Sequence, residues 1–426
     1  GYIGLQLAIV QGGKVVLNRG YGDRSLDPKL PLTNTTSMRI GSVSKQFTCA
    51  AILLLAEDGK LAVTDKVAKY YPNLTKADSI TLLDLMNHTS GYPDYYPLDF
   101  VDRRMQKEIT VEQLAKEYAG GKLDFEPGSR YSYSNTGYIL LGDIAEKVSG
   151  SDLGAFLKKR IFEPLKMDHT GYLGAKLPEK ATGYWSFALG EPEKAIDEPD
   201  GWIAGAGGIW STAEDLATWD IALVSGKVLK PETYKIMTAP RELTNGKMSD
   251  YGCGLRVSSF AGEKTLGHSG AVFGFLANNV TFPRTKSAVV LLSNTEHVRP
   301  NSLYRTLVEL VAKDLNDKDA TAVPKIAGPD AKKVVMDFFH DLQEGKIDRS
   351  KLGEEFSLYM SDERVKSAAA RLKALGEPEK VVVGDPSERG GMATQTVTLT
   401  FKKQVVKASL YRTPDGKVQQ ILFNNE

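Results

Sequence analysis

The chain has 426 residues, of which 42% are hydrophobic and 25% are charged. This composition is typical of a soluble globular protein with ample core, and the length predicts two domains. Lysine and arginine number 54 and aspartate and glutamate 53, so the net charge of +1 does not indicate nucleic acid or an anionic membrane surface as a partner.

Membrane, thiol and metal signals are weak throughout the sequence. No apolar run approaches the length of a membrane-spanning helix, so we expect no integral membrane segment. The chain begins in a strand-like run, so we expect any secretory signal peptide to have been removed already. The two cysteines, Cys49 and Cys253, lie far apart, and we expect no disulfide. No Cys/His cluster has metal-ligand spacing, so we expect no metal and no other cofactor.

The first predicted elements are a hairpin followed by a buried helix. Residues 5–10 and 14–18 are strand-like and are separated by a glycine turn. Residues 43–56 are apolar on every face, which predicts a buried helix. Further helices are predicted at 80–86, 111–118, 138–148, 213–223 and 302–315, and further strands at 254–257, 275–282 and 287–293. Strands at both ends with helices between them predict one α+β domain whose sheet is completed by the two ends of the segment.

Ser42 and Lys45 stand at the first turn of the buried helix. They are three residues apart, so their side chains lie on one face. Free backbone N–H groups and the helix dipole favour developing negative charge there, and burial of an amine without a role would be costly. Ser-x-x-Lys at a helix start is a nucleophile motif. The alternative is a serine N-cap followed by a lysine whose ammonium reaches water.

The pattern starts afresh after a polar segment with spaced prolines, which predicts a linker that ends near residue 328. Helices are then predicted at 331–344 and 362–375, and strands at 380–383, 393–401, 405–411 and 418–423. We therefore predict one domain over residues 1–320 and a small C-terminal α+β domain over 328–426. The order of helices followed by a sheet resembles folds of the nuclear-transport-factor-2-like kind. We expect a supporting role for this domain, shaping or partly covering the cleft.

Two further motifs supply a context for the Ser-x-x-Lys pair. Tyr133 and Asn135 are two residues apart in a loop that opens a helix, and a run of three residues, His268, Ser269 and Gly270, follows much later. Glycine in that run allows a close backbone approach. In this order and at these separations the three motifs resemble those of the serine β-lactamase-related superfamily, in particular its class C β-lactamase, D-alanyl-D-alanine peptidase and esterase branch.

The resemblance covers residues 4–315 and implies the β-lactamase and penicillin-binding-protein fold, an antiparallel sheet flanked by helices with a helical subdomain. It also implies that the protein is periplasmic or secreted. Its partner is then a small-molecule or peptide substrate. The sequence gives no indication of the oligomeric state.

The chemistry begins with Ser42, which is a weak nucleophile until a neighbour takes its proton. Lys45 and Tyr133 are the available neighbours. Each can serve as the base if the other charge in the site lowers its pKa, so which of the two is the base stays open. The resemblance implies that Tyr133 relays the proton to the leaving group and that Asn135 hydrogen-bonds the substrate and Lys45. It also implies an oxyanion hole formed by the backbone N–H groups of Ser42 and Ala271.

The third motif bears on the substrate. Lysine usually occupies the position of His268 in β-lactamases of this family, and the resemblance associates histidine there with peptidases and esterases. We therefore expect a serine hydrolase that acts through an acyl-enzyme on small esters or D-amino-acid-containing peptides and amides. The alternatives are a penicillin-binding sensor that is acylated without turnover and a true class C-like β-lactamase. A functional site in the C-terminal domain is a further alternative, although no catalytic constellation is found there.

Two other groups near the motifs have competing interpretations. His88 could belong to a Ser-His-Asp triad, but we interpret it as a turn residue that bonds local backbone because the chain has no Gly-x-Ser-x-Gly elbow. Tyr92, Tyr95 and Tyr96 are interpreted as loop packing, with one ring lining the cleft as the alternative.

Overall fold

The computed structural model describes residues 2–95, 103–188, 190–260, 263–296, 303–304, 306–308, 324–389 and 392–425. In chain order its strands are β1 (Gly4–Gln11), β2 (Lys14–Leu26), β3 (Lys29–Pro31), β4 (Met38–Arg39), β5 (Tyr184–Trp185), β6 (Glu193–Lys194), β7 (Trp210–Ser211), β8 (Arg256–Phe260), β9 (Glu263–Val272), β10 (Phe275–Phe282), β11 (Ser287–Ser293), β12 (Lys380–Val383), β13 (Ser387–Arg389), β14 (Met392–Thr400), β15 (Val405–Arg412) and β16 (Val418–Asn425).

The α-helices are α1 (Ser44–Glu57), α2 (Leu82–Met86), α3 (Val111–Leu114), α4 (Asn135–Ser149), α5 (Leu153–Leu157), α6 (Glu163–Leu165), α7 (Ala204–Gly207), α8 (Ala213–Val224), α9 (Pro231–Met237), α10 (Ala331–Gln343), α11 (Glu354–Tyr359) and α12 (Asp362–Lys373). Short 3-10 turns occur at Gly41–Val43, Val67–Lys69, Arg103–Gln106, Asp200–Trp202 and Arg349–Lys351, and π-helical turns at Ala115–Ala119 and Lys158–Phe162. Among these described helices none is long and apolar enough to cross a membrane.

The larger sheet contains, within the described residues, seven antiparallel strands in the order β3-β2-β1-β11-β10-β9-β8. Strand β1 pairs with β11, and Leu5 lies opposite Ser293, so the two ends of the segment complete the sheet as predicted. All residues of β11 are buried. Val289 and Val290 point into different apolar clusters, so the strand is covered on both faces, which explains its continuous apolar run.

Helix α1 is buried from Ser44 to Leu55, which confirms the prediction of a buried helix. It contacts α4, α7 and α9, and the 3-10 turn before it contacts β9 and β10. Helices α4 and α7 approach closely because Gly205 has no side chain; a Cβ there would lie 2.4 Å from the carbonyl oxygen of Tyr138. The Thr48 hydroxyl of α1 donates to the Gly205 carbonyl oxygen at 2.7 Å. These contacts hold α7 against the start of α1.

Several elements differ in extent from the predictions. Helix α4 begins at Asn135 and therefore includes part of the segment that was predicted to be a loop. Strand β9 spans ten residues; residues 263–267 pair with β8, whereas the glycine-rich part that follows pairs only with β10 and leaves its other edge beside the turn of Ser42. Most of the helix predicted at 302–315 lies outside the described residues, as does most of the predicted linker.

The second sheet belongs to the C-terminal part of the chain and, among the described residues, has five strands. Its order is β12-β14-β15-β16, and β13 also pairs with β14. Helices α10 and α12 contact each other, and their apolar residues share one cluster with the sheet. Phe187 and Ala188 of the first part also join that cluster. The predicted α+β fold, with a separate small C-terminal α+β unit, is confirmed, whereas its nuclear-transport-factor-2-like character stays a prediction.

Candidate active site

The nucleophile candidate Ser42 lies in the 3-10 turn that precedes α1. Gly41 has a φ of 48°, a left-handed conformation that favours glycine, and a Cβ there would lie 2.9 Å from the backbone nitrogen of Ala271. A Cβ at Gly270 would lie 2.1 Å from the carbonyl oxygen of Ile40. Both glycines are therefore required for β9 to run directly against the turn that carries the hydroxyl group.

Lys45 is fully buried, and its amine lies among three oxygen atoms. Its Nζ is 2.9 Å from Ser42 Oγ, 2.7 Å from Asn135 Oδ1 and 2.8 Å from the carbonyl oxygen of Ala206. Burial holds the pKa of Lys45 well below its usual range, although the Asp94 carboxylate opposes this effect. A neutral amine has two N–H groups and one lone pair. The amide and carbonyl oxygens can accept those two N–H groups, so the lone pair can accept the proton of Ser42.

Tyr133 lies beside this pair, and Lys45 Nζ is 5.0 Å from the centroid of its ring. Its phenolic oxygen is buried and has no hydrogen-bond partner among the described residues. Burial raises the pKa of Tyr133, while the nearby Ser42 hydroxyl acts in the opposite direction. A protonated phenol therefore stands next to the nucleophile.

Asn135 is held by Asp94, a residue that the sequence motifs did not include. The backbone N–H and the Nδ2 of Asn135 both donate to Asp94 Oδ1, at 2.9 and 3.0 Å. This contact turns the amide oxygen of Asn135 toward Lys45. The Asp94 side chain has no exposed surface, and Arg389 of β13 lies 3.4 Å from its second oxygen. The sequence signal for Asp94 is only a Pro-Asp step in a loop, which has no fixed spacing from Asn135.

His268 is buried on β9 and uses both ring nitrogens. Its Nδ1 donates to the Ser269 carbonyl oxygen at 2.5 Å, because a carbonyl can only accept, and Nε2 therefore accepts from the Tyr251 hydroxyl at 2.8 Å. Burial and then the charge of Lys45 lower the pKa of His268 to about 3. The imidazole is therefore neutral at physiological pH.

The open space at this site is a shallow cleft that reaches solvent. Ser42 and Asn135 line the cleft, and Trp202, Ile203 and Val272 contribute apolar lining. Ser269 and Ala271 alternate with buried residues along β9 and are exposed. Substrate atoms at Ser42 would thus meet the exposed edge of β9.

The tyrosine cluster divides between packing and the cleft. Tyr95 lines the cleft, and its hydroxyl donates to the carbonyl oxygen of Trp202. Tyr92 instead packs in the core, with its hydroxyl donating to the Thr75 carbonyl oxygen at 3.0 Å. Tyr96 lies outside the described residues.

His88 supports the loop that carries Tyr133. Its Nδ1 accepts the Ser134 N–H at 3.1 Å, and its ring centroid lies 4.2 Å from that of Tyr133. Burial is the main cause that lowers the pKa of His88. The structure therefore places this histidine against the phenol and not at Ser42.

The described residues include neither a reactive cysteine nor a group arranged as a metal site. Cys49 and Cys253 are buried free thiols, and burial raises the pKa of both, which disfavours the reactive thiolate. No group of three or more His, Cys, Asp or Glu side chains among the described residues is arranged to hold a metal ion.

Comparisons with known proteins identify the family and the fold of the chain. The Beta-lactamase family profile matches residues 1–313. Penicillin-binding protein 4* of Bacillus subtilis (strain 168) is 32% identical over 306 residues, which are 67% of each chain. A D-aminopeptidase of Gluconobacter oxydans (strain 621H) is 26% identical over 68% of this chain and 55% of its own length.

A solved structure shows the same relationship at the level of the fold. The D-amino acid amidase of Ochrobactrum anthropi SV3, complexed with L-phenylalanine amide, superposes with a TM-score of 0.62 at 26% identity, over 69% of this chain and 87% of its own. All three sequence motifs lie inside the span that the family profile matches. The chain therefore belongs to the β-lactamase family and is a serine hydrolase.

Proposed function

We propose that the protein hydrolyses D-amino-acid-containing amides and peptides, or small esters, through an acyl-enzyme on Ser42. The observation that carries this proposal is the contact of Lys45 Nζ with Ser42 Oγ at 2.9 Å, made by an amine whose pKa is lowered by burial. A neutral amine at this distance can take the hydroxyl proton as the serine attacks a carbonyl carbon.

Acylation then uses groups that surround the hydroxyl. Ser42 Oγ bonds to the carbonyl carbon while its proton passes to Lys45 Nζ. Tyr133 carries a proton to the leaving amine or alcohol, so that the C–N or C–O bond can break. The backbone N–H groups of Ser42 and Ala271 stabilise the oxyanion, a role supported by the close approach of Gly41 to Ala271.

Deacylation reverses the roles of the same groups. A water molecule attacks the acyl-enzyme and loses a proton to the Lys45 and Tyr133 pair, and Ser42 Oγ leaves as the hydroxyl. The amine and the phenol lie next to each other and to the serine, so one pair can serve both half-reactions.

The substrate class is supported by the relatives and by the cleft. The D-aminopeptidase and the D-amino acid amidase act, by their names, on D-amino acid derivatives. The apolar lining contributed by Trp202, Ile203 and Val272 suits a hydrophobic side chain or acyl group. Neutral His268 supplies no cation for the carboxylate of a β-lactam antibiotic, so we expect feeble β-lactamase activity at most.

The test compares the wild type with Ser42→Ala. A panel of p-nitrophenyl esters, D- and L-amino acid amides and a chromogenic cephalosporin measures turnover, and a serine-directed phosphonate measures labelling. We expect Ser42→Ala to lose both, with an unchanged fold by circular dichroism, while Ser151→Ala at an exposed serine behaves like the wild type.

Three results would contradict parts of this proposal. Phosphonate labelling of Ser42→Ala at another serine would refute the nucleophile assignment. Faster hydrolysis of L-amides than of D-amides would refute the substrate class. Stoichiometric labelling of Ser42 without sustained turnover of any substrate would show an acylated sensor in place of a hydrolase.

A further inference from the structure

Strand β13 of the C-terminal sheet lies against the active site of the first domain. Glu388 Oε2 accepts a hydrogen bond from the Ser132 hydroxyl at 2.8 Å. The next residue, Arg389, donates from Nε to Asp94 Oδ2 at 3.4 Å, and its guanidinium carbon is 5.5 Å from the centroid of the Tyr133 ring. Two consecutive residues of the C-terminal domain therefore contact the surroundings of the catalytic phenol.

These contacts continue without a gap to the nucleophile. Arg389 pairs with one oxygen of Asp94, and the other oxygen accepts two hydrogen bonds from Asn135. The Asn135 amide oxygen in turn accepts from Lys45 Nζ, which contacts Ser42. A buried carboxylate is costly unless it is paired and hydrogen-bonded, so the guanidinium stabilises Asp94 in the place where it orients the amide.

The same short strand fixes the loop at a second point. Ser132 precedes the phenol by one residue, and its side chain is buried against Glu388. His88 holds Ser134, the residue after the phenol, from the other side. The backbone on both sides of Tyr133 is thus restrained, once from the first domain and once from the C-terminal domain.

We propose that the C-terminal domain contributes positioning residues to the hydrolase site. Arg389 positions Asn135 and Tyr133 through Asp94, and Glu388 positions the loop of Tyr133 through Ser132. This inference rests on the proposed function of Ser42. Arg389 and Glu388 are positioning residues, because they act through groups that contact the nucleophile.

The charge of Arg389 adds a measurable consequence. It lowers the pKa of both Lys45 and Tyr133, whereas Asp94 raises the pKa of Lys45. Removal of the guanidinium takes away a positive charge that lowers the pKa of Lys45, while the opposing effect of Asp94 stays, so the pKa of Lys45 should rise. Since the neutral amine is the reactive form, the acid limb of the kcat/KM profile should move to higher pH.

Other contacts between the two domains provide a control. Arg371 of α12 donates to the carbonyl oxygens of Ala188 and Phe187, at 3.1 and 3.4 Å. None of its described partners belongs to the Ser42 site. Arg371→Ala is the same substitution as Arg389→Ala and also weakens the contact between the domains, but it leaves the loop of Tyr133 unchanged.

The experiment uses the full chain with Arg389→Ala, Arg389→Lys, Glu388→Ala and Arg371→Ala, each checked by circular dichroism and thermal unfolding. With the best substrate of the panel, Arg389→Ala should lower kcat/KM by about 10- to 100-fold, which is typical when catalytic groups are misplaced by about 1 Å. Its acid limb should move to higher pH. Arg389→Lys should keep the limb in place and recover part of the rate, because it restores the charge but not the geometry. Arg371→Ala should stay within about twofold of the wild type.

The outcomes separate this inference from the proposed function. Wild-type kinetics and an unmoved acid limb in Arg389→Ala would overturn the inference, and so would an equal loss in Arg371→Ala. If Arg389→Ala fails to fold, Glu388→Ala decides, because unchanged kinetics without the Ser132 contact would refute the positioning role. A wild-type protein that neither turns over a substrate nor labels at Ser42 would instead refute the proposed function itself.

Discussion

Replacement of Gly270 by alanine tests the contact between β9 and the turn of Ser42. A Cβ at this position would lie 2.1 Å from the carbonyl oxygen of Ile40 and 3.0 Å from the backbone nitrogen of Ser42. Carbon and oxygen atoms that are not bonded need more than 3 Å, so the two backbones must separate by about 1 Å. The atoms in conflict belong to the backbone, and no side chain can move aside to make room.

This separation acts on the two N–H groups assigned to the oxyanion. If the N–H of Ala271 moves about 1 Å from its place opposite Ser42, the oxyanion loses most of one hydrogen bond. Loss of one such donor typically lowers turnover by about 10²–10³-fold. Because the change leaves Ser42 and Lys45 in contact, we expect the loss mainly in kcat and a smaller change in KM.

The assay is steady-state turnover of the best ester or amide, together with the rate of phosphonate labelling. Gly121→Ala is the matched control, because a Cβ there meets no atom nearer than 3.7 Å and the residue lies outside the site. Gly270→Ala with more than about half of the wild-type turnover and an unchanged melting temperature would show that β9 does not supply the oxyanion contact.

Lys45, Asp220 and His268 allow three further tests. Lys45→Ala should be nearly as damaging as loss of the nucleophile, since residues that act as a unit are not additive, and retention of more than about a tenth of the wild-type turnover would refute its role in proton transfer. Burial raises the pKa of Asp220 to about 7, so the folded protein keeps a proton that the unfolded chain releases near pH 4. Stability is therefore lost as the pH rises through this window, by up to roughly 4 kcal/mol. Urea unfolding should show that Asp220→Asn gains stability relative to the wild type between pH 5 and 8, and a difference independent of pH would contradict the assignment. His268→Lys should raise cephalosporin turnover by no more than about fivefold, the effect of one added charge worth about 1 kcal/mol, because burial at this position disfavours the charged amine. Wild-type turnover of the cephalosporin that equals that of the best ester or amide would refute the interpretation of His268.

The site motifs could be predicted because their geometry is local. Ser42 and Lys45 share one helical turn, and Tyr133 and Asn135 lie two residues apart at the start of α4, so spacing determines the geometry within each motif. Lys45 meets Asn135 across 90 residues, and the family resemblance, not the spacing, indicated that the motifs form one site. Asp94 could not be predicted in this way. It meets Asn135 across 41 residues, through a loop with no periodic pattern, and only the folded chain defines that distance.

A supporting role was expected for the C-terminal domain, but the residues through which it contacts the site, Glu388 and Arg389, could not be identified for a related reason. Strand β13 has three residues, which are polar or charged, and so short a segment shows no alternation of apolar and polar residues. Arg389 and Asp94 are 295 residues apart. The glycine-rich part of β9 was also hard to recognise as strand, because glycine is a poor strand former and pairing with β10 overrides that preference.

The pairing of β1 with β11 has a consequence for how the protein is made. Leu5 of β1 pairs opposite Ser293 of β11, so β1 lacks its central neighbour until roughly 290 further residues have been synthesised. At a synthesis rate of about 5–20 residues per second, the hairpin of β1 and β2 spends roughly 15–60 s with an apolar edge unpaired on the ribosome. That edge is therefore the place where we expect chaperones to bind the nascent chain and where aggregation would begin if synthesis stalled before β11.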